Sequence, residues 1–131
     1  MNFKDLFKRF DESGKLFLPG GSVDFADISW SKHPVFEGVE LKHLIMSKDT
    51  NGRFSYHLVK IAPNKSIGNH VHEKQLETHE VIAGRGVCIN NGTRIEYEAG
   101  VISIFYMNLP HEIHAGAEGL FLFAKLIPAL A

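Results

Sequence analysis

Two histidines spaced one residue apart are the first feature of this sequence that could do chemistry. His70 and His72 flank Val71, and the carboxylate of Glu77 follows five residues later. Side chains on a β-strand alternate between its faces, so an extended His-Val-His segment presents both imidazoles on one side. A third imidazole, His111, comes much further along the chain. Three imidazoles and one carboxylate form a plausible ligand set for a divalent metal.

Two further histidines are candidates for proton transfer. His79 alternates with Glu77, so both face inward if that strand is regular, and Val81 and Ala83 follow on the same side. His79 could orient a metal ligand, contact a substrate, act as a general base, or be a buried histidine bonded to the backbone. His57 is the second candidate, but both faces of its strand carry apolar residues, so its side stays open.

A short helix and a series of strands must position these side chains. Residues 1–12 are predicted to be helical, with one apolar stripe that docks on the core or on a partner subunit: Phe3, Leu6, Phe7 and Phe10. Strands are predicted over residues 39–47, 54–62, 70–72, 77–83, 87–90, 93–98, 101–106, 112–115 and 120–127. The Asn-Gly pairs at 51–52 and 91–92 predict hairpin turns, and Gly84-Arg85-Gly86 predicts a turn between strands. This pattern is typical of an all-β sandwich or barrel.

Composition bounds the partners and the compartment. The chain has 131 residues, 14 basic and 15 acidic side chains, a net charge of −1 and one cysteine, Cys88. We therefore expect one domain without a disulfide framework and without the basic surface of a nucleic-acid-binding protein. No signal peptide and no apolar run of membrane-spanning length is visible, which favours a cytoplasmic protein without a membrane partner. Cys88 is expected to be a small buried apolar residue rather than a nucleophile.

The spacing of the metal-ligand candidates resembles the two motifs of the cupin superfamily. The first motif, G-x5-H-x-H-x(3,4)-E-x6-G, is matched by His70, His72, Glu77 and Gly84. The second motif, G-x5-P-x-G-x2-H-x3-N, is matched in register by Gly100 and His111. An H-x-H pair alone carries little weight in a histidine-rich chain, whereas the whole constellation is specific.

Four positions depart from these motifs. Asn64 and Asn108 stand where the motifs have glycine, and asparagine is the residue that best tolerates the left-handed conformation after glycine. The turns at these two positions are therefore expected to survive. Tyr106 replaces the motif proline and is expected to add a bulky ring near the pocket mouth, and Ala115 replaces the closing asparagine.

The resemblance implies a fold and a site. It implies an all-β, single-domain, cupin-like antiparallel β-barrel of jelly-roll type with a short N-terminal helix. Residues 1–38 would form a helix and an arm that packs on the barrel or on a dimer partner, and residues 39–131 would form the barrel. By the same resemblance, His70, His72, Glu77 and His111 would hold one divalent transition metal per chain: zinc, iron, nickel or manganese.

Three functions follow as alternatives. The first is a metal-dependent enzyme of oxygenase, decarboxylase, isomerase or lyase type that acts on a small polar or acidic metabolite, with His79 or His57 moving a proton. The second is a non-enzymatic barrel that binds or senses a small molecule with the help of a metal. The third, an interaction module with a vestigial pocket, is disfavoured by the intact ligand set. A homodimer is expected, since small cupins commonly pair and this chain carries the apolar helix stripe.

Overall fold

The computed structural model describes residues 3–131, and side chains from residue 5 onward. Two helices, α1 (Phe3–Ser13) and α2 (Ser47–Thr50), and a 3-10 helix over Phe25–Asp27 accompany ten strands. The strands are β1 (Lys15–Leu18), β2 (Gly21–Asp24), β3 (Ser31–Lys32), β4 (Val39–Ile45), β5 (Ser55–Ile61), β6 (Ser66–His70), β7 (Leu76–Asn90), β8 (Thr93–Tyr97), β9 (Ile102–Phe105) and β10 (His111–Ile127). The predicted mostly-β chain with a short N-terminal helix is confirmed.

The strands form one large antiparallel sheet and a separate hairpin. The large sheet runs in the order β3-β4-β5-β10-β7-β8, with β6 added on β10 and β9 added on β7. Within the described residues its end strands β3 and β8 do not pair, and β3 is only two residues long. The sheet is therefore open, and the closed barrel that we predicted is not confirmed. The β1–β2 hairpin was not predicted; it lies in the segment assigned to an extended arm.

Two long strands replace four predicted short ones. β7 runs without interruption from Leu76 to Asn90 and pairs along β10, so the turn predicted at Gly84-Arg85-Gly86 is wrong. Gly84 has a φ of +82°, and a Cβ at this position would lie 2.2 Å from the Gly119 carbonyl oxygen of β10. The glycine therefore lets two strand backbones approach closely instead of reversing the chain.

A bulge in β7 breaks the alternation that we expected after His79. Val81 pairs with Leu122 and Ala83 pairs with Phe121, which leaves Ile82 as the extra residue. Val81 lies in the core beside the site, whereas Ala83 packs on the opposite side of the sheet beneath α1. The prediction that Ala83 shares the inward face of Glu77 is therefore wrong.

The two Asn-Gly turns differ in outcome. Asn91 and Gly92 both have positive φ and join β7 directly to β8, as a two-residue hairpin loop requires. Asn51 and Gly52 also have positive φ, but the single turn of α2 precedes them and makes a longer connection between β4 and β5.

Helix α1 covers one face of the sheet. Phe7 stacks on Phe121 with ring centroids 3.9 Å apart, and Phe10 meets Phe123 edge-on at 5.3 Å. Lys42, which is 2% exposed, donates from its Nζ to the Phe25 carbonyl oxygen and pairs with Asp11 of α1. The docking of the apolar stripe on the core is thus confirmed for its described side chains; the side chain of Phe3 lies outside the described residues.

The opposite face of the sheet surrounds the site. Its core residues are Val39, Val59, Ile61, Ile67, Val81, Cys88, Tyr97, Phe105, Ile113, Ala115, Leu120, Leu122, Ala124 and Leu126. Cys88 is fully buried among them, as predicted. No helix in residues 3–131 is long and apolar enough to cross a membrane. The division into an arm over 1–38 and a barrel over 39–131 stays a prediction.

Candidate metal centre

The fold brings the four predicted ligands together. One ligand atom from each of His70, His72, Glu77 and His111 lies within 4.8 Å of the others. His70 ends β6 and pairs across the ladder with His111, the first residue of β10. Glu77 is the second residue of β7, and His72 lies in the loop between β6 and β7. His70 and His72 both belong to the cluster, and Val71 between them is exposed.

Two left-handed asparagines support the loops that carry the ligands. Asn64, just before β6, has a φ of 60°, and its N–H donates to the Gly116 carbonyl oxygen at 3.0 Å. Asn108 has a φ of 66°, and its N–H donates to the His72 carbonyl oxygen at 2.9 Å. The expectation that asparagine preserves these glycine turns is confirmed, and the second turn fixes the loop of a ligand directly.

The other two motif departures lie away from the ligands. Tyr106 is 58% exposed and lies in a surface depression beside Asn90 and Ile104, so its predicted place near the pocket mouth is wrong. β9 ends at Phe105, one residue before Tyr106. Ala115 is buried in the apolar core, where a polar side chain would need a hydrogen-bond partner.

Unpartnered polar atoms at the cluster centre fit a cation. The Glu77 Oε1 lies 3.0 Å from the His111 Nε2 and 3.4 Å from the His72 Nε2. Both the Glu77 Oε1 and the His111 Nε2 are nevertheless buried without a hydrogen bond, because they are not aligned for one. Buried polar atoms that converge without pairing are costly unless an ion or a water satisfies them. The donor set, three imidazoles and one carboxylate, is the chemistry of a divalent transition-metal site.

The protonation states of His70 and Glu77 suit metal binding, whereas Glu77 raises the pKa of His72. The His70 Nδ1 lies 2.7 Å from the Gly68 carbonyl oxygen, so it carries the proton and leaves the Nε2 lone pair free for a ligand bond. Burial lowers the pKa of His70, which favours the neutral imidazole. Burial would raise the pKa of Glu77, but His79, His111 and His72 together hold it well below its usual range. The carboxylate is therefore ionised at neutral pH.

His79 lies behind the carboxylate. Its Nε2 is 3.4 Å from the Glu77 Oε2, and its Nδ1 is 3.4 Å from the hydroxyl of Tyr97. Burial raises the pKa of Tyr97, so the hydroxyl keeps its proton and can donate to the His79 Nδ1. The Nε2–H of His79 then faces Glu77 and orients it. The sequence did not single out Tyr97, because its contact with His79 joins two different strands, β8 and β7. In the structure Tyr97 is the buried last residue of β8.

His57 lies inside the sheet but does not reach the cavity. It is fully buried on β5, on the same face as Val59 and Ile61, with its Nδ1 2.7 Å from the His43 Nδ1. Burial, with a smaller contribution from His43, lowers the pKa of His57 to about 4. His43 lines the cavity in its place, although nothing in its sequence context predicted a role for it. The catalytic roles of His57 and His79 stay predictions.

A cavity of about 390 Å³ opens at the cluster. Its lining includes the four ligands, His79, His43 and an apolar wall that contains Leu41, Val59 and Leu126. The segment after the 3-10 helix closes one side through Lys32 and His33, and Phe36 packs on the His70 ring at 5.8 Å. That segment therefore packs over the site of its own chain. This is one of the two placements, on the barrel or on a dimer partner, that we expected for the arm within residues 1–38. His114, three residues after His111, is exposed and is not among the described lining residues.

Comparison with known proteins agrees with this geometry. The family model described as "Cupin domain" matches residues 57–123, about half of the chain, including all four ligands. This chain belongs to the cupin superfamily. An oxalate-binding protein from Thermotoga maritima is 28% identical to this cupin over 76 residues. The matched segment covers 57% of this chain and 63% of that protein, so the chain spans less than two thirds of this relative.

Solved structures share the fold. A predicted oxalate decarboxylase from Thermotoga maritima superposes with a TM-score of 0.72 at 25% identity, over 79% of this chain and 95% of that one. KdgF from a Halomonas species gives a TM-score of 0.70 at 16% identity, over 79% of this chain and 88% of its own. The polyketide cyclase RemF from Streptomyces resistomycificus gives 0.69 at 22% identity, over 81% of this chain and 77% of its own. The last two comparisons establish the fold only.

Proposed function

We propose that this cupin binds one divalent transition metal through His70, His72, Glu77 and His111 and uses it to act on a small carboxylate. The observation that carries the proposal is the pair of buried, unpartnered atoms, Glu77 Oε1 and His111 Nε2, held 3.0 Å apart. Zinc, iron, nickel and manganese all accept this donor set. A bound divalent ion acts as a Lewis acid that polarises a substrate oxygen.

The residues around the ligands favour an acidic ligand of small size. Three neutral imidazoles and one carboxylate leave a divalent ion with a net positive charge. Leu41 and Leu126 contribute apolar walls to the cavity. His79 lines the same cavity, and its Nε2 lies 3.4 Å from the Glu77 Oε2, where its proton fixes the carboxylate orientation. The relative that binds oxalate suggests oxalate as the first probe.

Two modes of action remain candidates. The fold neighbour described as a predicted oxalate decarboxylase favours an enzyme that breaks a carbon–carbon bond. The relative described as an oxalate-binding protein favours a module that binds its ligand without turnover. We propose the enzyme, because His79 supplies a buried proton carrier beside the ligand set and a purely structural metal site needs none.

The test loads the purified chain separately with zinc, iron, nickel and manganese. Each form is titrated with oxalate by calorimetry and incubated with it while carbon dioxide and formate are measured. We expect stoichiometric binding and product formation, both lost in His111→Ala. Binding without product would leave the binding module. Absence of both from every metal form would overturn the proposal.

The homodimer and the cytoplasmic location stay predictions. A light-scattering mass equal to one chain, 14.7 kDa, at micromolar concentration would contradict the dimer.

A further inference from the structure

A chain of three polar side chains crosses the sheet beneath the cavity. His43 on β4 pairs directly with His57 on β5, and their Nδ1 atoms are 2.7 Å apart. The His57 Nε2 lies 2.7 Å from the Ser55 Oγ, and that oxygen accepts a hydrogen bond from the Leu130 N–H at 2.8 Å. Ser55 and His57 are both fully buried. The metal cluster uses none of these groups.

The buried donors and acceptors allow only one direction of hydrogen bonding along this row of side chains. The Leu130 N–H can only donate, so the Ser55 oxygen accepts it and the Ser55 hydroxyl hydrogen needs an acceptor. Within the described residues, the His57 Nε2 is the acceptor in reach. His57 then carries its proton on Nδ1 and donates it to the His43 Nδ1. The opposite tautomers would leave a buried hydroxyl hydrogen without a partner, which costs about 1–3 kcal/mol.

His43 therefore carries its proton on Nε2. Burial lowers the pKa values of both His43 and His57, so both rings are neutral near pH 7 and the tautomer assignment applies there. The Nε2 atom of an imidazole points away from its Nδ1, so the Nε2–H of His43 is directed away from His57. His43 lines the cavity, where its neighbours on the sheet are the apolar Leu41 and Val59. It presents a fixed donor within an otherwise apolar wall.

The row of residues that contains His43 also leads to the metal cluster. Successive ladder partners across the sheet are His43, His57, Ala124 and His79, and His79 lies against Glu77. Neighbouring strands are about 5 Å apart. His43 therefore lies about three strand spacings from His79, across the cavity from the cluster, so a ligand that bridges the two must span the cavity.

We propose that His43 is a specificity-determining residue that donates a hydrogen bond from Nε2 to a ligand oxygen distant from the metal, and that Ser55 and His57 are positioning residues for it. The proposal rests on the proposed function, since it places the other end of the ligand at the metal cluster. It selects carboxylates with a second oxygen-bearing group over compounds with an apolar tail.

The first test reads the tautomer in the metal-free protein. Long-range ¹H–¹⁵N spectra of the imidazoles should show His43 protonated on Nε2 and His57 on Nδ1. Replacing His57 by Gln keeps an acceptor for Ser55 and a donor for His43, so the His43 tautomer should be retained. Replacing His57 by Leu removes both and should give mixed tautomers at His43. A His43 ring protonated on Nδ1 in the wild type would overturn the proposal.

The second test uses the zinc-loaded protein and the dicarboxylate series from oxalate to succinate as probes, titrated by calorimetry. For the dicarboxylate that the wild type binds best, we expect His43→Phe to weaken binding at least tenfold with zinc content unchanged. The matched control, His114→Phe, alters an exposed histidine and should leave the affinity unchanged. Equal affinity in His43→Phe would overturn this proposal alone. A wild type that binds no member of the series in its zinc, iron, nickel or manganese form would overturn the proposed function, and this proposal with it.

Discussion

The buried His57 predicts a specific acid sensitivity of the fold. In the unfolded chain an imidazole has a pKa near 6.5, and in the fold burial and the neighbouring His43 lower the pKa of His57 to about 4. As pH falls, the unfolded chain therefore takes up this proton first, so the contribution of neutral His57 is complete above about pH 6.5 and is lost as pH falls towards 4. The titratable groups that face it are His43 and, at longer range, Glu77.

The size of this loss follows from the pKa difference. Each unit is worth about 1.4 kcal/mol, so the whole contribution is about 3 kcal/mol, of which roughly 2.5 kcal/mol is lost between pH 7.5 and 4.5. His57→Gln cannot titrate and keeps the hydrogen bonds to Ser55 and His43. Its stability should therefore fall by about 2.5 kcal/mol less than that of the wild type over the same interval.

The assay is urea unfolding at both pH values with a chelator present, so that metal release does not contribute. Because each protein serves as its own reference at pH 7.5, any constant cost of the substitution cancels. Parallel pH dependence of wild type and His57→Gln, within about 0.5 kcal/mol, would refute the assignment of a neutral buried imidazole at this position.

Three further predictions concern the frame of the site, and urea unfolding tests each of them. Gly84→Ala should destabilise the fold by about 3 kcal/mol or more, because the added Cβ would lie 2.2 Å from the backbone of β10. The control Gly20→Ala should change stability by less than about 0.5 kcal/mol, because its added Cβ would meet nothing within 4 Å. Asn108→Ala should cost about 1 kcal/mol at its left-handed φ while Asn108→Gly should be nearly neutral, and equal losses would contradict the turn argument. Phe7→Ala should cost about 2 kcal/mol by removing the stack on β10, and no loss would mean that α1 does not hold this position.

The cluster of His70, His72, Glu77 and His111 was predictable because the resemblance depends on residue types at fixed offsets. The His-Val-His spacing, Glu77 and the distant His111 are matched to motifs that specify residue types and offsets, and the fold brings all four together. The two asparagine turns were predictable for a related reason, since a left-handed φ limits the residues that a position accepts.

The strand lengths and His43 were not predictable, because both depend on tertiary contacts. Gly84 resembles a turn residue until the backbone of β10 is seen against it. On β4, Leu41 and His43 face the cavity, but the opposite face buries Lys42 and Leu44 beneath α1. With both faces covered, alternation along this strand cannot distinguish the cavity side. No local pattern predicted that the sheet would end at β8 and at the two-residue strand β3 instead of closing.

The metal content of the purified chain tests the central claim most directly. The metal-free protein is titrated with Zn²⁺, beside His111→Ala and the matched control His114→Ala, whose histidine lies three residues further along β10 and is exposed. We predict one zinc per chain in the wild type and in His114→Ala, and binding weakened at least tenfold in His111→Ala with an unchanged far-ultraviolet spectrum. A wild type that takes up no zinc, or a His111→Ala variant that binds it as tightly, would contradict the account.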